Sequence, residues 1–108
     1  MITVKGIELD FDVQRNADAK RLDASKPSML EAVKVLEAKE VSYDTVADVC
    51  IKAVVDLLGS TEADKLGMDA GKWLECITTF SEVCAEVTKQ ENETKEILAK
   101  YKVDRLGV

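Results

Sequence analysis

The apolar residues of this chain change their spacing once, and that change constrains the fold more than any other feature. From Ile2 to Val13 they occupy every second position except across Lys5 and Gly6, which is the pattern of two strands joined by a two-residue turn. Beyond residue 28 they recur every three or four positions, as on one face of a helix. The sequence therefore predicts an α+β fold that is mainly α, with a β-hairpin preceding a helical bundle.

We expect one domain over residues 1–108, divided into a hairpin at 1–14, a bundle of about four helices at 28–101 and a tail at 102–108. An isolated two-stranded hairpin is marginally stable in water. Its apolar face must therefore lie on the helices of the same chain or be completed by strands of another chain.

Pro27, the single proline, is expected to interrupt any helix that runs through it. A short polar helix at residues 17–22 should precede it. Ser28 and Glu31 have the spacing of a capping box and predict a second helix from Met29 to about Lys39. The face that this helix turns to the core is expected to carry Met29, Leu30, Val33 and Leu36.

The remaining helices follow from capping signals. Ser42 and Gly59 bound the most apolar helix, and a short helical turn ends at Gly67. A long last helix is expected to begin at about Gly71. Its apolar seam comprises Trp73, Ile77, Phe80, Cys84 and Val87, and it fades at Glu91 and Thr94 before returning at Leu98 and Tyr101. The C-terminal half of this helix should therefore project beyond the core.

Charge and hydropathy exclude two classes of partner. The net charge of −6 argues against nucleic-acid binding, which needs clustered Lys and Arg. No apolar run approaches the roughly 20 residues that a membrane helix requires, so we expect no membrane interaction. The N-terminal segment lacks the pattern of a secretory signal, which predicts a protein that stays in the cytosol.

The residues that usually carry catalysis are scarce. The chain contains no histidine, which removes the commonest general base. Cys50, Cys76 and Cys84 form no CxxC pair and are expected to be small core residues rather than metal ligands. We therefore predict no enzyme activity, no catalytic residues, no metal, no cofactor and no small-molecule substrate.

The candidate partner-binding residues are aromatic and aliphatic side chains on the last helix. Trp73 is either a core anchor or an interface residue. The charged C-terminal segment is either an ordinary solvated helix end or a helix that binds a partner's groove through intermittent apolar anchors. The predicted binding residues are Trp73, Ile97, Leu98, Tyr101, Val103 and Leu106.

Five segments together resemble a family of small proteins encoded among the tail genes of phages and prophages of Gram-positive bacteria. These segments are VKGIELDFDV, VADVCIKAVVDLLG, STEADKLG, KWLECITTFSEVCAEV and LAKYKVDR, and they span most of the chain in order. The family is similar to the tail assembly chaperones, and the likeness is one of apolar positions and turns.

The resemblance implies a non-enzymatic protein in the cytoplasm of a bacterial host. Such a protein would bind the tape-measure protein, the tail-tube protein or both, and keep long apolar helices soluble during tail assembly. The alternative is a structural tail or baseplate component that stays in the virion and forms homo-oligomers through its hairpin edge.

Overall fold

The computed structural model describes the backbone of residues 1–106 and the side chains of residues 1–101. Its elements in chain order are β1 (Ile2–Val4), β2 (Ile7–Leu9), α1 (Asn16–Glu37), α2 (Tyr43–Leu58), α3 (Ser60–Asp64) and α4 (Trp73–Leu106). The predicted fold class is confirmed: a short N-terminal hairpin and four helices, of which the C-terminal one is long. As far as the structure describes them, α1 to α4 lack the combination of length and hydropathy that spanning a bilayer requires.

The hairpin forms where the alternation predicted it. β1 and β2 pair antiparallel, with Val4 opposite Ile7. Lys5 and Gly6 both have positive φ, 51° and 76°, which is the conformation of the type I′ turns that suit the twist of paired strands. The apolar face is buried against helices of the same chain, through Ile2, Val4, Leu9 and Phe11. Packing within the chain therefore covers this face of the hairpin.

α1 is one continuous helix, so the predicted break at Pro27 was wrong. Proline removes the hydrogen bond to the carbonyl four residues earlier, here that of Asp23. Pro27 and Asp23 are both exposed, so water can solvate that carbonyl. Leu22 and Ala32, on either side of the proline, are buried in the same core. Tertiary packing therefore holds both halves of α1 in one helix.

Ser28 joins two helices instead of capping one. Its hydroxyl donates a hydrogen bond to the carboxylate of Asp56 on α2. Lys52 Nζ donates to the same hydroxyl over 3.2 Å and to Asp56 over 2.8 Å. The side chain that was predicted to begin a helix thus ties the middle of α1 to α2.

α2 is the central helix, against which α1 and α4 both pack. Ser42 caps it as predicted, since its hydroxyl accepts a hydrogen bond from the backbone N–H of Thr45 over 3.2 Å. The helix ends at Leu58, and its C-cap Gly59 has a φ of 85° and a ψ of 156°, a region that glycine alone adopts readily. Its buried residues are Val46, Ala47, Cys50, Ala53, Val54, Leu57 and Leu58.

α4 leaves the core part-way along its length. Its buried residues are Cys76, Thr79, Phe80, Val83 and Val87. Gln90 still holds the hairpin, because its side-chain amide donates to the carbonyl of Phe11 over 3.0 Å and accepts from the N–H of Val13 over 3.1 Å. From Lys95 to Tyr101 every residue is exposed. The predicted projection of this helix beyond the core is confirmed as far as Tyr101.

Candidate protein-binding surface

An apolar groove lies between α1 and α4. Because both helices pack on α2, their outer flanks leave a space of about 600 Å³ between them. We refer to it as the α1–α4 groove. It is lined by Leu22, Lys26, Met29, Leu30, Val33 and Leu36 from α1, and by Phe80, Ser81, Cys84 and Glu91 from α4.

The α1 wall of the groove is formed by residues that were predicted to be core. Leu30 is 61% exposed and Val33 is 42% exposed. The cause is the rotation of α1 about its own axis, which turns the small residues Ser25 and Ala32 toward the core. Both of these residues are completely buried. Leu30 and Val33 lie beside that face, where no neighbouring helix covers them fully. Their prediction as core residues was wrong.

The α4 wall carries an aromatic residue and a thiol. Phe80 is buried, and Cys84 is half-buried. Burial raises the pKa of the Cys84 thiol, so the thiol is neutral at pH 7. Lys26 and Glu91 are the two charged residues of the lining. The groove therefore offers an apolar surface with one basic and one acidic side chain.

An aromatic patch adjoins the groove. The rings of Tyr43 and Trp73 stack with their centroids 4.4 Å apart, above a depression of about 270 Å³ that Leu36 and Ile77 also line. Leu36 lines the groove as well, so the two surfaces are continuous. Trp73 is 36% exposed, which places it outside the buried core. This exposure argues against the role of core anchor, which is one of the two roles predicted for Trp73.

The third part of the surface is the exposed end of α4. Ile97, Leu98 and Tyr101 are each at least 49% exposed. About five helical turns separate Phe80 from Leu98, so Leu98 continues the face of α4 that lines the groove. We call residues 95–101 of α4 the projection. The side chains of Val103 and Leu106, the other predicted binding residues, lie outside the described residues.

The predicted binding residues do not form one cluster. Trp73 and Ile97 are about 36 Å apart along the helix axis. The α1–α4 groove lies between them and connects the two ends. Sequence reasoning missed its α1 wall because helical spacing gives the apolar face of a helix but not the neighbour that covers it. One signal in the sequence could have indicated the α1 wall. The apolar stripe on α1 is wider than the part that faces α2, because Leu30 extends it.

Charged groups outside this surface pair across packing contacts. The ammonium of Lys52 and the hydroxyl of Ser28 lower the pKa of Asp56. Hydrogen bonding to Arg15 lowers the pKa of Asp10. The pKa of Glu62 is lowered mainly by the hydrogen bond from the backbone N–H of Asp10, and also by Lys65. These shifts accompany contacts that join α1 to α2 and the hairpin to α3.

Buried thiols account for the remaining shifts. Burial raises the pKa of Cys50 to about 11 and also raises that of Cys76. Within the described residues no group of three or more Cys, Asp or Glu side chains is arranged to hold a metal ion.

A model of a protein family matches residues 5–106, which is nearly the whole chain. The family is described as a family of unknown function, DUF6673. Comparison with curated proteins and with solved structures finds no match.

Proposed function

This chain belongs to the DUF6673 family, whose function is unknown, and we propose that it is a non-enzymatic tail assembly chaperone of a phage or prophage. It acts in the cytoplasm of the bacterial host. It binds the tape-measure protein, the tail-tube protein or both during tail morphogenesis. The phage assignment rests on the sequence resemblance, and the binding mode is argued from the surfaces of the domain.

The α1–α4 groove is the observation that supports a binding function most. An amphipathic helix binds by laying its apolar face into an apolar groove, with anchors spaced at three and four residues. Leu30 and Val33 on one wall and Phe80 on the other provide such a receiving surface. Large apolar side chains that stay exposed together are typical of interaction sites.

The length of the surface suits a long partner. The aromatic patch, the groove and the projection follow one another along α4, so a partner helix of several turns can contact all three. Each part supplies only a few apolar side chains. Several weak anchors give moderate affinity, which allows release as the tail tube grows.

The charge of the domain supports the same role. A protein that masks an apolar helix must itself remain dispersed, and a net charge of −6 opposes association between complexes. We therefore expect the complex with an aggregation-prone helix to stay in solution.

The alternative is a structural tail or baseplate component that self-associates through its hairpin edge. Two observations weigh against it. β1 and β2 have three residues each, and short edge strands offer few groups for pairing. Beyond β2, the N–H groups of Asp10 and Val13 already donate to Glu62 and Gln90. A chaperone is the better supported function.

Co-expression with the tape-measure protein of the same phage or prophage tests the proposal. The tape-measure protein should stay in solution and co-purify with the wild-type chain. It should precipitate with the Leu30→Asp variant, because a charge then occupies the groove. Ala24→Asp is the matched control, since Ala24 is also exposed on α1 but lies outside the groove.

Purified particles separate the chaperone from the structural alternative. A chaperone is absent from the finished virion, whereas a structural component is present in a fixed number of copies. Detection of the chain at constant stoichiometry in particles would reject the chaperone function.

A further inference from the structure

We propose that the unliganded protein is an antiparallel dimer in which the projection of each copy lies in the α1–α4 groove of the other. This inference concerns the chain alone and does not depend on the identity of its partner in tail assembly.

The arrangement follows from the way one helix supplies both halves of the contact. Phe80 and Cys84 line the groove on α4, and Leu98 lies on the same face farther along the helix. When the α4 of a second copy lies antiparallel on this face, Leu98 of the second copy reaches the groove of the first. By symmetry, Leu98 of the first copy reaches the groove of the second. The two contacts are related by a two-fold axis, which is the closed symmetry that most homodimers adopt.

The charge distribution along the chain favours this pairing. Residues 95–101 carry two basic and one acidic side chain, whereas residues 1–94 carry eleven basic and nineteen acidic ones. Each projection is thus positive and would lie on a negative body. Electrostatic complementarity of this kind speeds association and sets the orientation of the two copies.

Opposite charges on α4 favour one register. With the two-fold axis near residue 93, Lys95 of each copy lies opposite Glu91 of the other, at the end of the groove. The same register brings Leu98 level with Thr88 of the second copy, one helical turn from Cys84. The apolar anchor and the charge pair are therefore satisfied together.

The dimer also covers apolar surface that a single copy exposes. Leu30 on the groove and Leu98 and Tyr101 on the projection would lose contact with water. A helix end without tertiary packing is only marginally stable, so the projection gains stability from the same contact.

Sedimentation equilibrium of the purified full-length protein, measured over a range of concentrations without any partner, tests this proposal. The wild-type chain and the Ala24→Asp control should be dimers. Leu98→Asp in the projection and Leu30→Asp in the groove should each raise the dimer dissociation constant by about tenfold or more. Tyr101→Ala provides a second projection variant, and circular dichroism verifies that each variant is folded.

Mixing the two variants identifies the contact. The intact groove of the Leu98→Asp variant can receive the intact projection of the Leu30→Asp variant. A heterodimer with one intact contact should therefore form at concentrations at which neither variant self-associates. A wild-type monomer at all concentrations would overturn the proposal, and so would folded variants that dimerise as well as the wild type. If such a monomer still binds the tape-measure protein, the dimer is wrong and the proposed function stands.

Discussion

Tyr43, the first residue of α2, stacks on Trp73, the first residue of α4, with an angle of 14° between the ring planes. Both residues are partly exposed, so the pair forms a surface patch rather than core. The stack joins the starts of two helices that are 30 positions apart in sequence. Since Trp73 is the single tryptophan of the chain, its fluorescence reports on this patch alone.

Removing the stacking partner should expose the indole without unfolding the domain. Tyr43→Ala is expected to shift the emission of Trp73 to longer wavelength and to lower the free energy of unfolding by about 0.5–1.5 kcal/mol, the range for an aromatic pair. Fluorescence spectra and urea titrations measure the two effects. Tyr43→Phe, which keeps the ring, should resemble the wild type, and an unchanged emission in Tyr43→Ala would contradict the stack.

A charge in the central helix should unfold the protein. Val54 is 1% exposed, and an aspartate there would have to be desolvated without a partner. We expect Val54→Asp to cost more than about 4 kcal/mol, which exceeds what most single substitutions cost. Ala24→Asp is the comparison, because Ala24 is exposed outside the groove and its substitution should leave thermal unfolding nearly unchanged. A folded Val54→Asp variant with normal circular dichroism would reject the described packing of α2.

Replacing Pro27 should stabilise the domain. The proline interrupts the hydrogen bonds of α1 at an exposed position, and alanine would restore the bond to the carbonyl of Asp23. The greater freedom of the unfolded Pro27→Ala chain opposes this gain by about 0.4–1 kcal/mol. We expect a net rise in the free energy of unfolding by about 1 kcal/mol or more. A fall, measured by chemical denaturation, would mean that the proline fits α1 better than a regular helix residue.

Acid should destabilise the protein through paired carboxylates. Asp10, Asp56 and Glu62 have pKa values below their ordinary values of 3.8 for Asp and 4.5 for Glu, because cations and hydrogen-bond donors hold them. A lowered pKa in the folded state contributes stability above the ordinary value, and that stability disappears as the pH falls through the folded-state pKa. The melting temperature should therefore fall from about pH 5 to pH 3.

The Asp56→Asn variant isolates the contribution of the Asp56–Lys52 pair to the acid sensitivity of the melting temperature. The variant retains the hydrogen bond to Ser28 but loses the charge that faces Lys52. Its melting temperature should depend less on pH in the acid range than that of the wild type. Equal pH dependence in the two proteins would show that this pair does not contribute.

Local sequence signals predicted some elements and failed for others. The Lys5–Gly6 turn, the Ser42 cap and the Gly59 terminus are local features, in which the residue itself sets the backbone conformation. Pro27 is also a local signal, but packing of α1 on both sides of it outweighs its preference. A propensity rule weighs only near neighbours and cannot include that packing energy.

The candidate site was predicted only in part. The exposure of Leu98 and Tyr101 followed from the fading seam of α4, a pattern visible along one helix. The groove depends on how α1 and α4 are spaced around α2, which no single helix encodes. Leu30 and Val33 have the periodicity of core residues, and only the arrangement of the three helices reveals their exposure.

The affinity of the purified chain for the tape-measure protein of the same phage or prophage tests the central claim most directly. The wild type and Ala24→Asp should bind equally well. Leu30→Asp, and the double variant Leu98→Asp with Tyr101→Ala, should each bind at least about tenfold more weakly while keeping the wild-type circular dichroism. Absence of binding by the wild type, or equal binding by the groove variant, would contradict the account.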